Sequence, residues 1–248
     1  MVEALNEEVL KNLQLLPSAR ARLLDAGCGT GATLRYLSAH LPGAELHGIG
    51  LAPGLIEMGR QLNGQNGVAK RIQLRCGDFQ RLPFPRNFFD AIVAIESVCY
   101  ATGKDKAELA REFSRVLTGG GTLVVVDVFM KSGKMPPRPF RWILRKVTES
   151  WAIEQVGVLP QFIKQLELHG LEVHAVRILS MNSIPSALHI PLVVARLLAS
   201  ALLRSEENRK GKLQYAKALF STLLTGILTP YLAYTLLVAE KSSGQGDK

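Results

Sequence analysis

The stretch 21–37, ARLLDAGCGTGATLRYL, leaves few folds open to the chain. An apolar run ends in Asp25, glycines follow at 27, 29 and 31, and an amphipathic segment begins at once. Closely spaced glycines let a backbone turn tightly and come near a ligand, and the helix that follows presents unbonded N–H groups at its start. A strand feeding a helix through such a turn is the opening unit of a parallel α/β sheet.

The rest of the first 130 residues repeats the alternation of short apolar runs and helical patterns. ELHGIG reads as a second strand followed by a helix through LIEMGRQL. RIQLRC is a third strand, FFDAIVAIE a fourth, DKAELAREFSRVL an amphipathic helix, and GGTLVVVDVF a fifth strand apolar enough for a sheet centre. Beyond Phe129 the character changes. KSGKMPPRPFRWILRK carries six basic and no acidic residues and reads as a loop leading into a short basic amphipathic helix. ESWAIEQVGVLPQFIKQLELHG continues as helical material, LEVHAVRIL is a sixth strand, 189–228 gives two apolar helices joined by RSEENRKGK, and YLAYTLLVAEK a seventh strand. The expected fold class is α/β: a doubly wound, Rossmann-like, seven-stranded and mostly parallel sheet, with helices on both faces and a C-terminal helical insertion before the last strand. The uncharged run 218–239 is long enough to span a bilayer, but Gly226 and Pro230 interrupt it and YTLLVA suits a strand, so it reads as core helix plus strand.

Charge is placed unevenly, with 14 basic against 13 acidic residues up to position 130 and 16 against 8 beyond it. In the basic half the charges are mixed with long apolar runs, which fits a membrane surface or an acidic partner and excludes nucleic acid from the expected partners. Peripheral membrane contact is expected through 131–146. Cys28, Cys76 and Cys99 are far apart and lack metal-ligand spacing, so no metal site and no disulfide framework is expected. The N-terminus is acidic and amphipathic, unlike a secretory leader, and a cytoplasmic protein with reduced thiols is expected. Of the histidines, His40 and His47 are expected at the surface, His169 at a helix end, His174 within the sixth strand and His189 beyond it.

GCGTGA fits the dinucleotide pattern GxGxxA, so a nicotinamide enzyme stays open at this point. That pattern expects an acid about 20 residues on to hold a ribose hydroxyl, and the position is occupied by Gly50. Asp25 at the end of the first strand and Asp78 just past the third are the other acids a ligand at the strand ends can meet. In an open α/β sheet the crevice lies beyond the carboxyl ends of the strands, which makes Glu96 and Tyr100, just after the fourth strand, the candidate catalytic pair.

With LLDAGCGTG, GIGLAPGLIEMGRQ, CGDFQRLPF, FFDAIVAIES and REFSRVLTGGGTLVVVD in this order over about 20–130, the chain resembles the class I S-adenosylmethionine-dependent methyltransferases of the type 11-like group, and within them the tocopherol and sterol small-molecule branch. The resemblance implies S-adenosyl-L-methionine as cofactor. It implies that Asp25 and the backbone of Gly27, Cys28 and Gly29 hold the methionine part, that Gly50 and Leu51 lie at the ribose, that Asp78 and the main chain of Phe79 meet the adenine, and that Ile95 and Glu96 line the pocket floor. Two positions depart from the pattern. Gly50 replaces the common acid, as in tocopherol-type sequences where GITLSP stands beside GIGLAP here, and Tyr100 replaces the His of a Glu-x-x-x-His arrangement.

The function expected is methyl transfer to a small lipophilic metabolite, a prenylated ring, terpenoid or polyketide, with the acceptor atom open among carbon, oxygen and nitrogen. A membrane-associated, non-catalytic binding protein on the same scaffold and an NAD(P)-dependent oxidoreductase are the alternatives. The chain is expected to be one domain over 1–248, with a cofactor-binding core at 20–130, substrate-side cap elements at 131–170 and 181–229, and a flexible tail at 241–248.

Overall fold

The computed structural model describes residues 2–13, 15, 20–179 and 228–244. Seven strands form one sheet: β1 (Arg22–Ala26), β2 (Glu45–Gly50), β3 (Ile72–Cys76), β4 (Phe89–Ile95), β5 (Leu117–Met130), β6 (Leu171–Ile178) and β7 (Leu232–Lys241). Their order is β3-β2-β1-β4-β5-β7-β6. The first five strands run parallel, and β7 is antiparallel to both β5 and β6.

The helices are α1 (Val2–Asn12), α2 (Ala32–His40), α3 (Pro53–Gln65), α4 (Ala107–Val116), α5 (Arg138–Ser150) and α6 (Leu159–Leu168). They cover both faces, because a parallel sheet built from apolar runs has two faces to bury. On one side Leu109 and Phe113 of α4 and Phe162 and Leu166 of α6 pack with Leu24, Ile92 and Val125. On the other, Val9 of α1, Leu34 and Leu37 of α2 and Ile56 of α3 pack with Leu23, Leu46 and Val124. Gly48 of β2 permits this second packing: a Cβ there would lie 2.6 Å from Leu74 Cδ2 and 2.8 Å from both Cys28 Sγ and Leu34 Cδ1.

The chain winds outward from β1 through β2 and β3, then returns to place β4 on the other side of β1. This reversal is the topological switch point, where the loops leaving adjacent strands diverge and open a crevice. The register sets what stands at its edge: Asp25 lies between Gly48 and Val93, and Ile95 lies beside Val126.

The structure corrects some expectations. His47, expected at the surface, is buried: its ring meets Phe84, Phe88 and Phe89 edge-on, and its Nε2 lies 3.0 Å from Glu45 Oε1. Burial in this aromatic cluster pushes the imidazole below its usual range. The fifth strand begins at Leu117, directly where α4 ends, and α5 runs on to Ser150. Residues 152–158 are not helical; Ala152 takes a positive φ of 54° and α6 starts at Leu159, just before Pro160. His40 is exposed, His169 caps α6 and His174 is exposed on β6. The two apolar helices expected in 189–228, with His189, lie outside the described residues except for Leu228. No helix among the described residues is long and apolar enough to cross a membrane.

Candidate active site

The glycine turn after β1 is fastened to its neighbours on two sides. Gly27 adopts φ +95°, and a Cβ on it would lie 2.2 Å from Ser97 Cβ, so the turns after β1 and β4 touch only because this residue has no side chain. The Ser97 hydroxyl donates to the Ala26 carbonyl at 2.6 Å and closes that junction. The N–H groups of Gly27 and Cys28 both donate to the Ile49 carbonyl, at 2.8 and 3.0 Å, and tie the turn to β2. The Gly29 N–H, by contrast, has no acceptor among the described residues. Gly31 caps α2 in a left-handed conformation with no side-chain hydrogen bond, so the start of α2 keeps the partial positive charge of an uncapped helix. Cys28 is a buried filler, its thiol pushed up by burial and by Asp25.

Asp25 is 3% exposed, and its carboxyl accepts no hydrogen bond from the described residues. Desolvation raises its pKa to about 7. A buried carboxyl without a partner is costly in a folded protein unless a ligand supplies the missing donor.

The loops after β2 and β3 form the adjoining wall. Gly77 N–H donates to the Gly50 carbonyl at 3.0 Å, and Gly50 stands beside Cys76 in the sheet. Asp78 is half-buried, and its Oδ1 accepts the Gln80 N–H at 2.8 Å. The Phe79 ring is buried in the core, so only its main chain reaches the crevice side. Leu51 is 61% exposed at the rim. Gly50 itself is not required by packing: a Cβ there would meet Ile56 Cδ1 at 3.6 Å and Gly29 N at 3.8 Å, which are ordinary contacts.

Beyond β4 the structure assembles a polar group that spacing in the sequence does not reveal. Glu96 is exposed, takes φ 51°, and donates its N–H to Val126 at 2.8 Å, while half-buried Ile95 precedes it. The Tyr234 hydroxyl, from β7, donates to Glu96 Oε1 at 2.9 Å. Asp127 of β5 is buried; its Oδ2 accepts the Cys99 N–H at 2.9 Å and its Oδ1 the Val128 N–H at 2.7 Å. Burial raises Asp127 to about 6, against the lowering effect of those donors. Its position hangs the short turn Val98–Tyr100 over the end of β5. Tyr100 is 43% exposed on that turn, and no hydrogen bond joins it to Glu96. Lys106 is fully buried, its Nζ donating to the carbonyls of Ala101 and Gln155.

The structure therefore brings Asp25, Gly27, Cys28, Gly29, Gly50, Leu51, Asp78, Phe79, Ile95, Glu96 and Tyr100 to one edge of the sheet. Tyr234, Asp127 and Lys106 were not foreseen. An acid inside VVVDVF was the available signal for Asp127; nothing in the sequence pointed to the other two. Among the described residues no three His, Cys, Asp or Glu side chains are grouped to hold a metal ion.

A ligand carrying an ammonium group suits the glycine-turn end of this edge. The unpartnered Asp25 carboxyl and the Gly29 N–H stand at the glycine turn, and Asp78 lies along the neighbouring wall. A doubly wound sheet with such a turn at its switch point is the fold of the class I methyltransferases. Residues 24–125 match the Methyltransf_11 family model, described as a methyltransferase domain. The sterol 4-C-methyltransferase strm-1 of Caenorhabditis elegans is 34% identical over 128 residues, covering 49% of this chain and 37% of that protein. The 2-methyl-6-phytyl-1,4-hydroquinone methyltransferase of Synechocystis sp. is 30% identical over 152 residues, covering 60% of this chain and 46% of that protein. The chain thus spans less than half the length of either relative. Among solved structures, the geranyl diphosphate C-methyltransferase of Streptomyces coelicolor A3(2), in complex with magnesium, geranyl-S-thiolodiphosphate and S-adenosyl-L-homocysteine, superposes with a TM-score of 0.75 at 16% identity, over 96% of this chain and 75% of that one. At that identity the likeness concerns the fold.

Proposed function

We propose that the protein transfers a methyl group from S-adenosylmethionine to a small lipophilic metabolite such as a prenylated ring, terpenoid or polyketide. The observation that carries the proposal is the buried Asp25 carboxyl at the end of β1, with no donor among the described residues, in the same turn as a Gly29 N–H with no acceptor among them. Together they provide an acceptor for an ammonium group and a donor for a carboxylate, the two ends of an amino acid moiety. A lipophilic acceptor is supported by two relatives named for a sterol and for a phytyl hydroquinone, and by a fold neighbour solved with a geranyl compound.

When bound, the cofactor supplies a methyl group made electrophilic by its sulfonium. Methyl transfer is an in-line displacement, so the protein's task is alignment and exclusion of water. Asp25 and the Gly27–Gly29 backbone hold the methionine end, Asp78 and the Phe79 main chain the adenine, and Gly50, Leu51 and Ile95 line the space between. Without an acid at position 50, the ribose would be held more loosely or by main-chain groups and water. Glu96, oriented by Tyr234, takes a proton from the acceptor or faces a cation formed on it, and Tyr100 walls the acceptor side.

The test is incubation of the purified protein with methyl-labelled S-adenosylmethionine and a host-cell extract, followed by partition into organic, aqueous and macromolecular fractions. Label in the organic phase is expected. Label confined to macromolecules would refute the acceptor class. Displacement of bound S-adenosylhomocysteine by NAD(P) would revive the oxidoreductase alternative.

A further inference from the structure

The outer face of α5 is basic and aromatic, and no element among the described residues packs on it. Arg138, Arg141, Trp142, Arg145 and Lys146 are exposed, Trp142 to 54%. The segment ahead of the helix adds exposed Lys131, Lys134 and Met135. Against these six basic residues, 131–149 holds one acid, Glu149, which lies 3.4 Å from Arg145 and 3.0 Å from Lys146. Neither Arg138 nor Arg141 has an ion pair among the described residues, so the N-terminal half of the face carries uncompensated charge around the tryptophan.

The inner face fixes where this surface points. Leu144 and Val147 are buried, and Phe140 and Ile143 partly so, with Leu144 packed in a cluster that includes Met130 at the end of β5, Leu228 ahead of β7 and Leu232 at its start. The Phe140 ring lies 5.4 Å from that of Tyr231. Tyr234, the partner of Glu96, follows three positions after Tyr231, within β7. The basic helix is thus anchored at the sheet edge that carries the candidate active site.

We infer that α5 and the segment before it form a docking face for an anionic lipid surface, which turns the crevice edge toward the bilayer. Tryptophan is suited to the interface, where its ring meets both acyl chain and headgroup, while arginines bury their stems and keep the guanidinium at the phosphates. A helix with one anchored apolar face and a basic face bearing an exposed aromatic lies in the plane of such a surface, and each cation near it adds attraction. Docking of this kind does not require methyl transfer.

The experiment is co-sedimentation of the full chain with vesicles of phosphatidylcholine alone and of phosphatidylcholine mixed with phosphatidylglycerol, at low and high salt, with single-stranded RNA as a competitor. Binding to the mixed vesicles only, weakened by salt, is expected. Trp142→Phe should abolish most of the blue shift in tryptophan fluorescence, since Trp151 lies outside the face. Arg138→Glu with Arg141→Glu and Arg145→Glu should lower vesicle affinity on the order of 100-fold, while affinity for S-adenosylhomocysteine stays unchanged and reports an intact fold. If that triple variant does not fold, the fluorescence of Trp142→Phe still decides. Equal uptake by neutral vesicles, a blue shift that survives Trp142→Phe, or binding to RNA without vesicle uptake would each overturn the inference.

Discussion

The Tyr234 hydroxyl donates a hydrogen bond to Glu96 Oε1 at 2.9 Å, joining β7 to the turn after β4 across 138 positions of sequence. Burial and the neighbouring carboxyl push the Tyr234 hydroxyl far above its ordinary range, so it remains a donor at any working pH. In the proposed enzyme this contact orients the Glu96 carboxyl where the resembled Glu-x-x-x-His arrangement has a histidine four residues on. Tyr234→Phe should lower turnover roughly ten-fold, the worth of about one hydrogen bond, with unchanged affinity for S-adenosylhomocysteine. Glu96→Gln should lower it further, and the double variant should lose less than the sum of the two in free energy. Additive losses in that cycle would show that the two residues act independently.

Asp25 gives a prediction about pH. Its pKa stands near 7 because burial opposes ionisation, and an ammonium group beside it would favour the charged form and lower that value. Binding is therefore strongest above the free-state pKa and weakens as pH falls through 7. Calorimetry of S-adenosylhomocysteine binding in buffers of different ionisation enthalpy should detect proton release near pH 7. The sign for stability is opposite. A carboxyl whose folded pKa is raised favours folding below its unfolded pKa, near 4, and that contribution is lost as pH rises toward 7. Asp25→Asn should consequently melt at a higher temperature than the parent at pH 8 without ligand, while losing most cofactor affinity. A variant that binds as well as the parent would remove Asp25 from the site.

The two glycines of β2 should respond in opposite ways. At Gly50 a Cβ meets nothing closer than 3.6 Å, so Gly50→Asp is accommodated and offers the ribose a carboxylate; cofactor affinity should rise by about one to two orders of magnitude, the value of one charge-assisted hydrogen bond. At Gly48 the same added carbon meets three side-chain atoms within 2.8 Å. Gly48→Ala should destabilise the protein by about 1–3 kcal/mol through overpacking. Isothermal titration and thermal melting of both variants check the contrast. An unchanged affinity for Gly50→Asp would mean the ribose does not lie there.

What the sequence made legible follows from how local each feature is. β1 to β5 announce themselves as apolar runs because both faces of a parallel sheet are buried, and the glycine turn could be placed because Gly27 must accept a positive φ wherever that turn meets Ser97. Tyr234 was hidden because its partner is chosen by the antiparallel register of β7 on β5, which sets Tyr234 opposite Val128, and no local spacing encodes that pairing. His47 was misplaced for a related reason: the flanking pattern says little, while the rings of Phe84, Phe88 and Phe89 that bury it arrive from beyond β3. The two lysines of the polar run TGKDKAE both look solvated, yet Lys106 is wholly buried.

That lysine supports the last prediction. Its Nζ donates to the carbonyls of Ala101 and Gln155, the latter at 2.8 Å, and so pins the segment that follows the Val98–Tyr100 turn to the non-helical stretch before α6. Burial lowers its pKa, opposed by nearby Cys99 and Asp127, so the buried cation is held by main-chain oxygens with the acids at longer range. Lys106→Met keeps the length of the side chain but leaves both carbonyls without their donor. Removing one partner from buried polar groups costs about 1–3 kcal/mol for each group stranded, so the melting temperature should fall by several degrees. Because the released segment begins at Ala101, directly after Tyr100, the acceptor KM should rise more than the affinity for S-adenosylhomocysteine falls. A variant that melts like the parent would mean that water replaces the ammonium at both carbonyls and that Lys106 is not what holds the segment in place.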